Sequence, residues 1–372
     1  MKEKLIIKNF GPIRNVELEL GKFNVLIGDQ GTGKSTVAKL LIAIQNTVLR
    51  EIRTLGWVEE NLNTKTESFK EYLKITGIDT YISLTTDIHF DSDLITFIYK
   101  KSTVEQTIKP SKILNTTVGY DFNYIPSERS FVINFAKNLY ALIETGTQLP
   151  GLFTRFGTKF LKAKDSDLFF DYRHVIGIKY SYRNKDTDII FLHDGKEILL
   201  SNASTAMQVS IPMLVVFDKT VKTWSHLENG FKQLLIIEEP ELNCFPETQN
   251  NLIKHFVSNL IYENAGKTYY KNQMLITTHS PYILTSLNNL MYAYSVGRKH
   301  YDEVNKIIEK KYWLNPDDVS VYMMLPNGEC EDIFDREEGL IKAEKIDGVT
   351  NILNEEFSSL LNLQFAPNEF NT

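Results

Sequence analysis

Apolar and polar positions alternate, or run in short blocks, from the first residues onward. "KLIIKNF" and "VELEL" flank Gly11-Pro12 and predict two strands around a turn. "FNVLIG" is a short apolar strand ending in glycine. The period then changes: from Lys34 to about Arg53, residues Val37, Leu40, Leu41, Ile44 and Val48 recur at helical spacing. Residues 61–70 read as a polar stretch, and "YISLTTDIHF" and "LITFIYKK" as antiparallel strands. A helix is expected from Phe131 to about Thr145. The segment from Leu149 to Tyr182, rich in Phe, Tyr and Lys, fits neither period and reads as an arm or small subdomain. No heptad pattern of coiled-coil length occurs in it.

Further on, "DIIFLHDGKEILL" predicts a hairpin around Asp194-Gly195, and a helix begins near Ser204. "LLII" (234–237) and "MLITT" (274–278) are short buried strands. Between them Pro246 suits the first turn of a helix that carries Leu252, Phe256 and Leu260 on one face. The tail holds a hairpin in "VYMMLPNGECEDIF" and a last helix from about Ile346 to Leu361.

Composition changes this picture only at the margins. The chain has 372 residues, 42% hydrophobic and 24% charged, enough for two lobes or one large domain with an insertion. The net charge of −6 argues against a protein that lives on phosphate-backbone contacts, so nucleic acid is a possible partner that charge does not support. "EKKYW" (309–313) is too short to alter that and reads as a solvated face. Cys244 and Cys330 are the only cysteines, which excludes a disulfide framework and a cysteine-rich zinc site. No signal peptide or membrane-spanning run is read from the sequence, and a cytoplasmic protein is expected.

The chemistry begins at Gly28-Asp29-Gln30-Gly31-Thr32-Gly33-Lys34-Ser35, a full P-loop pattern between an apolar strand and an amphipathic helix. Glycines let the backbone N–H groups curl toward phosphate oxygens, and the helix N-terminus adds a positive dipole end. Lys34 is expected on the β- and γ-phosphates and Ser35 on Mg²⁺. "LLIIEEPE" ends a buried strand in two carboxylates, which packing alone does not explain. Beside a Mg²⁺-nucleotide, Glu238 would contact the metal and Glu239 would orient or deprotonate the attacking water. Without that nucleotide the same residues are an acidic surface loop. His279, after "LITT", can hold the γ-phosphate and the water, or serve only structure. Ser204 in "LSNASTAMQ" caps a helix, and a hydroxyl-bearing helix tip is also a ready γ-phosphate clamp.

In this order the P-loop, "YIPSERS", "LSNASTAMQ", "LLIIEEPELNCFP" and "TTHSPY" resemble the nucleotide-binding heads of the ABC superfamily, nearest to SMC- and RecF-like ATPases. Within that group the chain is similar to the ATPase parts of OLD-family nucleases and of Septu- and PARIS-type phage-defence systems, over about Lys4 to Val296. The resemblance implies an α/β P-loop NTPase of ABC-ATPase head type: a mixed central sheet, an antiparallel β lobe and a partly helical insertion. The implied divisions are 1–130 for a first lobe, 131–200 for the insertion, 201–300 for a second lobe and 301–372 for a C-terminal hairpin and helix. It implies Walker A at Gly28 to Thr36, Walker B at Glu238, the catalytic glutamate at Glu239 and the switch histidine at His279. Ser204, Thr205 and Ala206 match the signature segment, which in such heads contacts γ-phosphate on the opposite subunit. Glu128 and Arg129 fall near the Q-loop position, where no glutamine stands.

The cofactors implied are ATP and Mg²⁺. The partners implied are a second copy in at least a dimer and a separate effector chain in phage defence or DNA-related processes. Ala206 stands where the signature carries glycine and Glu238 where aspartate is commoner, so slow hydrolysis is expected, and the alternative is an ATP-gated scaffold with little or no turnover that holds a separate nuclease or toxin chain. A nuclease in the same chain is disfavoured, because only a short segment follows Val296 and neither Asp317-Asp318 nor the acidic cluster from Glu329 to Asp335 has the expected arrangement. A GTPase is disfavoured because Thr187 stands where the guanine-reading aspartate would follow Asn184-Lys185.

Overall fold

A computed structural model describes residues 3–54, 62–92, 95–108, 123–135, 144–145, 149–166, 169–183, 187–225, 234–264, 267–270, 273–342 and 358. Strands β1 (Glu3–Phe10) and β2 (Ile13–Leu20) form the expected hairpin, in register from Glu3 opposite Leu20 to Phe10 opposite Ile13. Strand β3 (Phe23–Ile27) is buried throughout and feeds the P-loop, after which the helix Lys34–Thr54 runs back. β4 (Asp87–Asp91), β5 (Ile95–Lys100) and β6 (Thr103–Ile108) extend the hairpin into an antiparallel sheet of order β2-β1-β4-β5-β6.

Two local details go beyond the sequence reading here. The polar stretch at 61–70 lies mostly in a helix, Leu62–Thr76. Its inward side mixes apolar and polar residues: Phe69 packs on Phe97 and Tyr99 with ring centroids 5.1 and 5.4 Å away, Leu73 is buried beside it, and Thr66, Ser68 and Thr76 are buried as well. The strand expected over 81–90 begins only at Asp87, because hydroxyls close a turn before it. Thr86 Oγ1 accepts the Ser83 N–H at 2.9 Å and donates to the Asn9 carbonyl at 2.6 Å.

The short strand β7 (Tyr124–Ile125) forms one edge of the central sheet. The helix expected from Phe131 is described over Phe131–Phe135, and residues 136–143 lie outside the described residues. The arm contains the helix Gly151–Ser166 and an antiparallel sheet of β8 (Phe169–Tyr172), β9 (Ile178–Arg183), β10 (Thr187–Phe191) and β11 (Glu197–Leu199). Buried Lys164 holds helix and sheet together by reaching both Asp188 oxygens, at 2.9 and 3.0 Å, and Tyr180 donates its hydroxyl to the same carboxylate. The expected hairpin at Asp194-Gly195 joins β10 to β11.

The helix Thr205–Ser225 follows, then β12 (Leu234–Glu238), the helix Pro246–Leu260 with proline at its start, and the hairpin of β13 (Ile261–Asn264) and β14 (Lys267–Tyr270). β15 (Gln273–Thr278) precedes the helix Pro281–Gly297, which Ser280 caps by accepting the Tyr282 N–H. β16 (Val319–Met324) and β17 (Cys330–Asp332) form the expected tail hairpin; the helix expected at 346–361 lies almost wholly outside the described residues.

The central sheet has the order β17-β16-β3-β15-β12-β7. Every pairing from β16 to β7 is parallel and β17 is antiparallel, so the sheet is mixed. Both faces are covered. Val25, Ile237, Ile276 and Val321 enter one buried cluster, while Leu26, Ile236, Leu275 and Tyr322 enter the other. That double burial is why these strands read as unbroken apolar runs rather than as alternation. The architecture is the α/β P-loop arrangement expected, with an antiparallel β lobe beside the mixed sheet. Among the described residues no helix is long and apolar enough to cross a membrane.

Candidate functional site

Parallel strands put all their C-terminal ends on one edge, and in open α/β sheets that edge is where ligands bind. Here β3 delivers the P-loop, β12 delivers Glu238 and Glu239, β15 delivers Thr278 and His279, and β7 delivers the turn 126–130. Stretches more than two hundred residues apart in sequence become neighbours because β15 lies between β3 and β12.

Three glycines of the P-loop have positive φ: Gly28 at +150°, Gly31 at +77° and Gly33 at +94°. Gly28 is also a close approach, since a Cβ there would sit 2.4 Å from the Met324 carbonyl oxygen at the end of β16. Thr32 closes the loop by donating Oγ1 to the Asp29 carbonyl at 2.8 Å. Lys34 is buried, and its ammonium donates to the carbonyls of Gly28 and Asp29, both at 2.8 Å. Burial lowers its pKa, opposed by the carboxylates of Glu239, Asp29, Glu241 and Glu238. Asp29, Gln30 and Gly31 are exposed on the outside of the loop, while Ser35 and Thr36 begin the helix behind Lys34.

Glu238 is 2% exposed at the end of a fully buried strand. Its Oε2 accepts the Ser127 N–H at 3.4 Å, whereas Oε1 is buried without a hydrogen-bond partner. An unpartnered buried carboxylate oxygen is costly. Next to a P-loop it suits a divalent cation, to which carboxylate and hydroxyl oxygens are appropriate hard ligands. The neighbouring Tyr124 phenol is pushed well above its ordinary pKa by burial and then by the Glu238 charge.

Glu239 leaves the strand in the left-handed region, φ +43°. Its N–H still bonds the Thr277 carbonyl at 2.8 Å, and its Oε1 lies 3.5 Å from His279 Nε2. Both side chains are partly open to solvent, at 27% and 32%. The structure therefore brings Lys34, Glu238, Glu239 and His279 to one edge. Ser204 and Thr205 are exposed at the tip of the helix Thr205–Ser225, with Ala206 one residue inside. Ser204 Oγ accepts the Met207 N–H at 3.4 Å, the bond of a helix cap.

Two residues make contacts at this edge that the sequence did not disclose. Glu241 Oε1 accepts both the Thr278 hydroxyl at 2.6 Å and the His279 N–H at 2.9 Å. Arg129 is 0% exposed and, among the described residues, donates only to backbone carbonyls, those of Pro126, Val209, Glu238 and Glu239. The visible signal for Glu241 was a third carboxylate in "EEPE"; for Arg129 it was a place in the "YIPSERS" turn, near the Q-loop position that the resemblance implied.

A family model described as "AAA ATPase domain" matches residues 1–148 and 157–284. No curated protein matches the chain. Among solved structures, the SMC head domain from Thermotoga maritima is 10% identical with a TM-score of 0.43, the alignment covering 90% of this chain and 100% of that one. An SMC head bound to the C-terminal winged-helix domain of ScpA is 10% identical with a TM-score of 0.47, covering 91% and 99%. A third, an SMC head with an extended coiled coil bound to the C-terminal domain of ScpA, from Pyrococcus furiosus, is 10% identical with a TM-score of 0.40, covering 95% and 98%.

Proposed function

The chain belongs to the AAA ATPase domain family, and from that premise we propose that it binds ATP with Mg²⁺ and hydrolyses it to ADP and phosphate. The observation that carries this reading is the meeting of a P-loop lysine, a buried carboxylate with one free oxygen, and a carboxylate–imidazole pair on a single sheet edge. Lys34 exchanges the carbonyls of Gly28 and Asp29 for β- and γ-phosphate oxygens, and the N–H groups from Gly28 to Thr36 cradle the chain of phosphates. Ser35 and Glu238 are the residues that would hold Mg²⁺, which when bound neutralises phosphate charge. Glu239 orients the attacking water and accepts its proton, and His279 Nε2 steadies that water against the γ-phosphate. Catalysis of this kind is mostly positioning and charge stabilisation.

A second copy completes the site in this proposal, presenting Ser204, Thr205 and Ala206 to the γ-phosphate. Two exposed aromatics support a partner on this face: Phe245, 81% exposed on the loop after Glu241, and Tyr282, 52% exposed just after His279. Loss of γ-phosphate then frees the two copies, and that cycle controls a separate effector chain, in the cytoplasmic phage-defence setting the resemblance suggests. Ala206 favours a second reading, an ATP-gated scaffold with little turnover, because its Cβ stands where close backbone approach to phosphate is wanted.

Phosphate release and particle mass test both readings. Wild type should turn over, Lys34→Ala should fail to bind nucleotide, and Glu239→Gln should lose roughly 10²–10⁴-fold in kcat while keeping nucleotide. Glu239→Gln should also double in mass with ATP·Mg²⁺. Equal, negligible release from wild type and Glu239→Gln would leave only the scaffold, and unimpaired nucleotide uptake by Lys34→Ala would end both.

A further inference from the structure

Building on the ATPase reading, we infer that Arg129 is a positioning residue that couples the helix Thr205–Ser225 to the backbone carrying Glu239. Its guanidinium is fully buried, and among the described residues every hydrogen-bond acceptor it meets is a main-chain carbonyl. Nη1 donates to Glu238 O at 2.7 Å and to Pro126 O at 3.0 Å, Nη2 to Glu239 O at 2.7 Å, and Nε to Val209 O at 3.2 Å. One rigid fork thus joins the end of β12, the turn after β7, and the first turns of the helix whose tip is Ser204 and Thr205.

Packing alone does not account for such a group. A buried cation is expensive, and an apolar side chain of similar volume usually serves stability as well or better. Burial lowers the pKa of Arg129 to about 10, which leaves it charged at neutral pH. What the fork does hold is Glu239, whose φ of +43° is unusual for a residue with a Cβ. A backbone in that region persists only when its surroundings over-determine it. Arg129 fixes the carbonyls of both Glu238 and Glu239, and the Glu239 N–H is fixed by Thr277.

The same planar group reaches Val209, four residues into the helix that carries the phosphate-facing tip. Displacement of that helix is therefore passed through a stiff fork to the two carboxylates on which metal binding and water activation depend. Lysine cannot reproduce this, because its ammonium has neither the planar geometry nor enough donors for four acceptors.

The test compares wild type, Lys34→Ala, Arg129→Lys and Arg129→Ala in full-length protein, with ATP affinity, steady-state phosphate release and thermal midpoint measured for each. Arg129→Lys should lose about 10–100-fold in kcat while its KM and ATP affinity stay within about two-fold of wild type, the pattern of misplaced catalytic geometry. If Arg129→Ala does not fold, Arg129→Lys decides, since it keeps the charge and the apolar stem. An active wild type whose kcat survives Arg129→Lys overturns the coupling alone, as does a loss of kcat that merely follows loss of folded protein or of ATP affinity. Wild type no faster than Lys34→Ala overturns the hydrolytic reading, and the coupling with it.

Discussion

Glu241 Oε1 accepts the backbone N–H of His279 at 2.9 Å, so the loop after β12 holds the loop after β15 at a set distance. The same oxygen accepts the Thr278 hydroxyl at 2.6 Å, and that hydroxyl oxygen in turn accepts the Ser280 N–H at 2.9 Å. Ser280 then donates its hydroxyl to Gln249 at 2.6 Å. The histidine facing Glu239 therefore sits on a loop whose backbone is determined by a third carboxylate outside the reacting pair.

Truncating that carboxylate should separate position from binding. Glu241→Ala leaves the Thr278 hydroxyl and the His279 N–H without their acceptor, a loss of about 1–2 kcal/mol in stability. Phosphate release should fall on the order of ten-fold or more through displacement of His279, with ATP affinity close to wild type. Glu241→Gln, which keeps an acceptor oxygen, should retain most of the activity. Denaturant unfolding and steady-state kinetics on both variants check this. Equal activity in Glu241→Ala and wild type would mean His279 needs no such support.

The P-loop glycines should not be equivalent. At Gly28 a Cβ would meet the Met324 carbonyl at 2.4 Å, and main chain cannot swing aside as a flexible side chain can. Gly28→Ala should abolish nucleotide binding. At Gly31 no atom lies within 4 Å of a built Cβ, so the φ of +77° is the remaining penalty. That penalty is about 1–2 kcal/mol for an L-residue in the left-handed region. Titration of a fluorescent ATP analogue should find Gly31→Ala weakened but binding; the reverse ranking would contradict the packing of the loop on β16.

A histidine relay running from the surface at His174 to buried His255 makes stability depend on pH. His174 Nε2 lies 3.3 Å from His255 Nδ1, and His255 Nε2 lies 2.7 Å from Asp218 Oδ1, joining the arm, the helix Pro246–Leu260 and the helix Thr205–Ser225. Burial first, and His255 second, hold the His174 pKa below its usual 6.5, against the pull of Asp218 and Asp171; Lys311 lowers it further. Between the depressed folded value and 6.5 the unfolded chain binds more protons, so stability rises with pH across that window. The stability present above about pH 6.5 should be lost as pH falls toward the folded value. Thermal midpoints at pH 7.5 and 5.5 should differ more in wild type than in His174→Gln. An unchanged difference would show that the imidazole pair is not responsible.

How much of this could be read beforehand depends on whether the information is local. The P-loop was fully legible, because its geometry rests on glycine dihedrals within eight consecutive residues and on the strand and helix at either end. The helix Leu62–Thr76 was not, since buried Phe69 and Leu73 share its inward side with buried Thr66, Ser68 and Thr76, which hides the helical period. Arg129 was visible near the Q-loop position by resemblance, but its acceptors at 209, 238 and 239 lie 80 to 110 residues away.

Residue types and spacing alone determined that a strand would end in a phosphate-shaped loop, that another would end in adjacent carboxylates, and that both strands would be buried. The order β16-β3-β15-β12-β7 was decided only in three dimensions, as were the 3.5 Å approach of Glu239 to His279 and the four-way grip of Arg129. The reason is physical. Dihedral preference and hydrophobic period act within a few residues, whereas strand order and buried hydrogen bonds depend on which distant surfaces pack together.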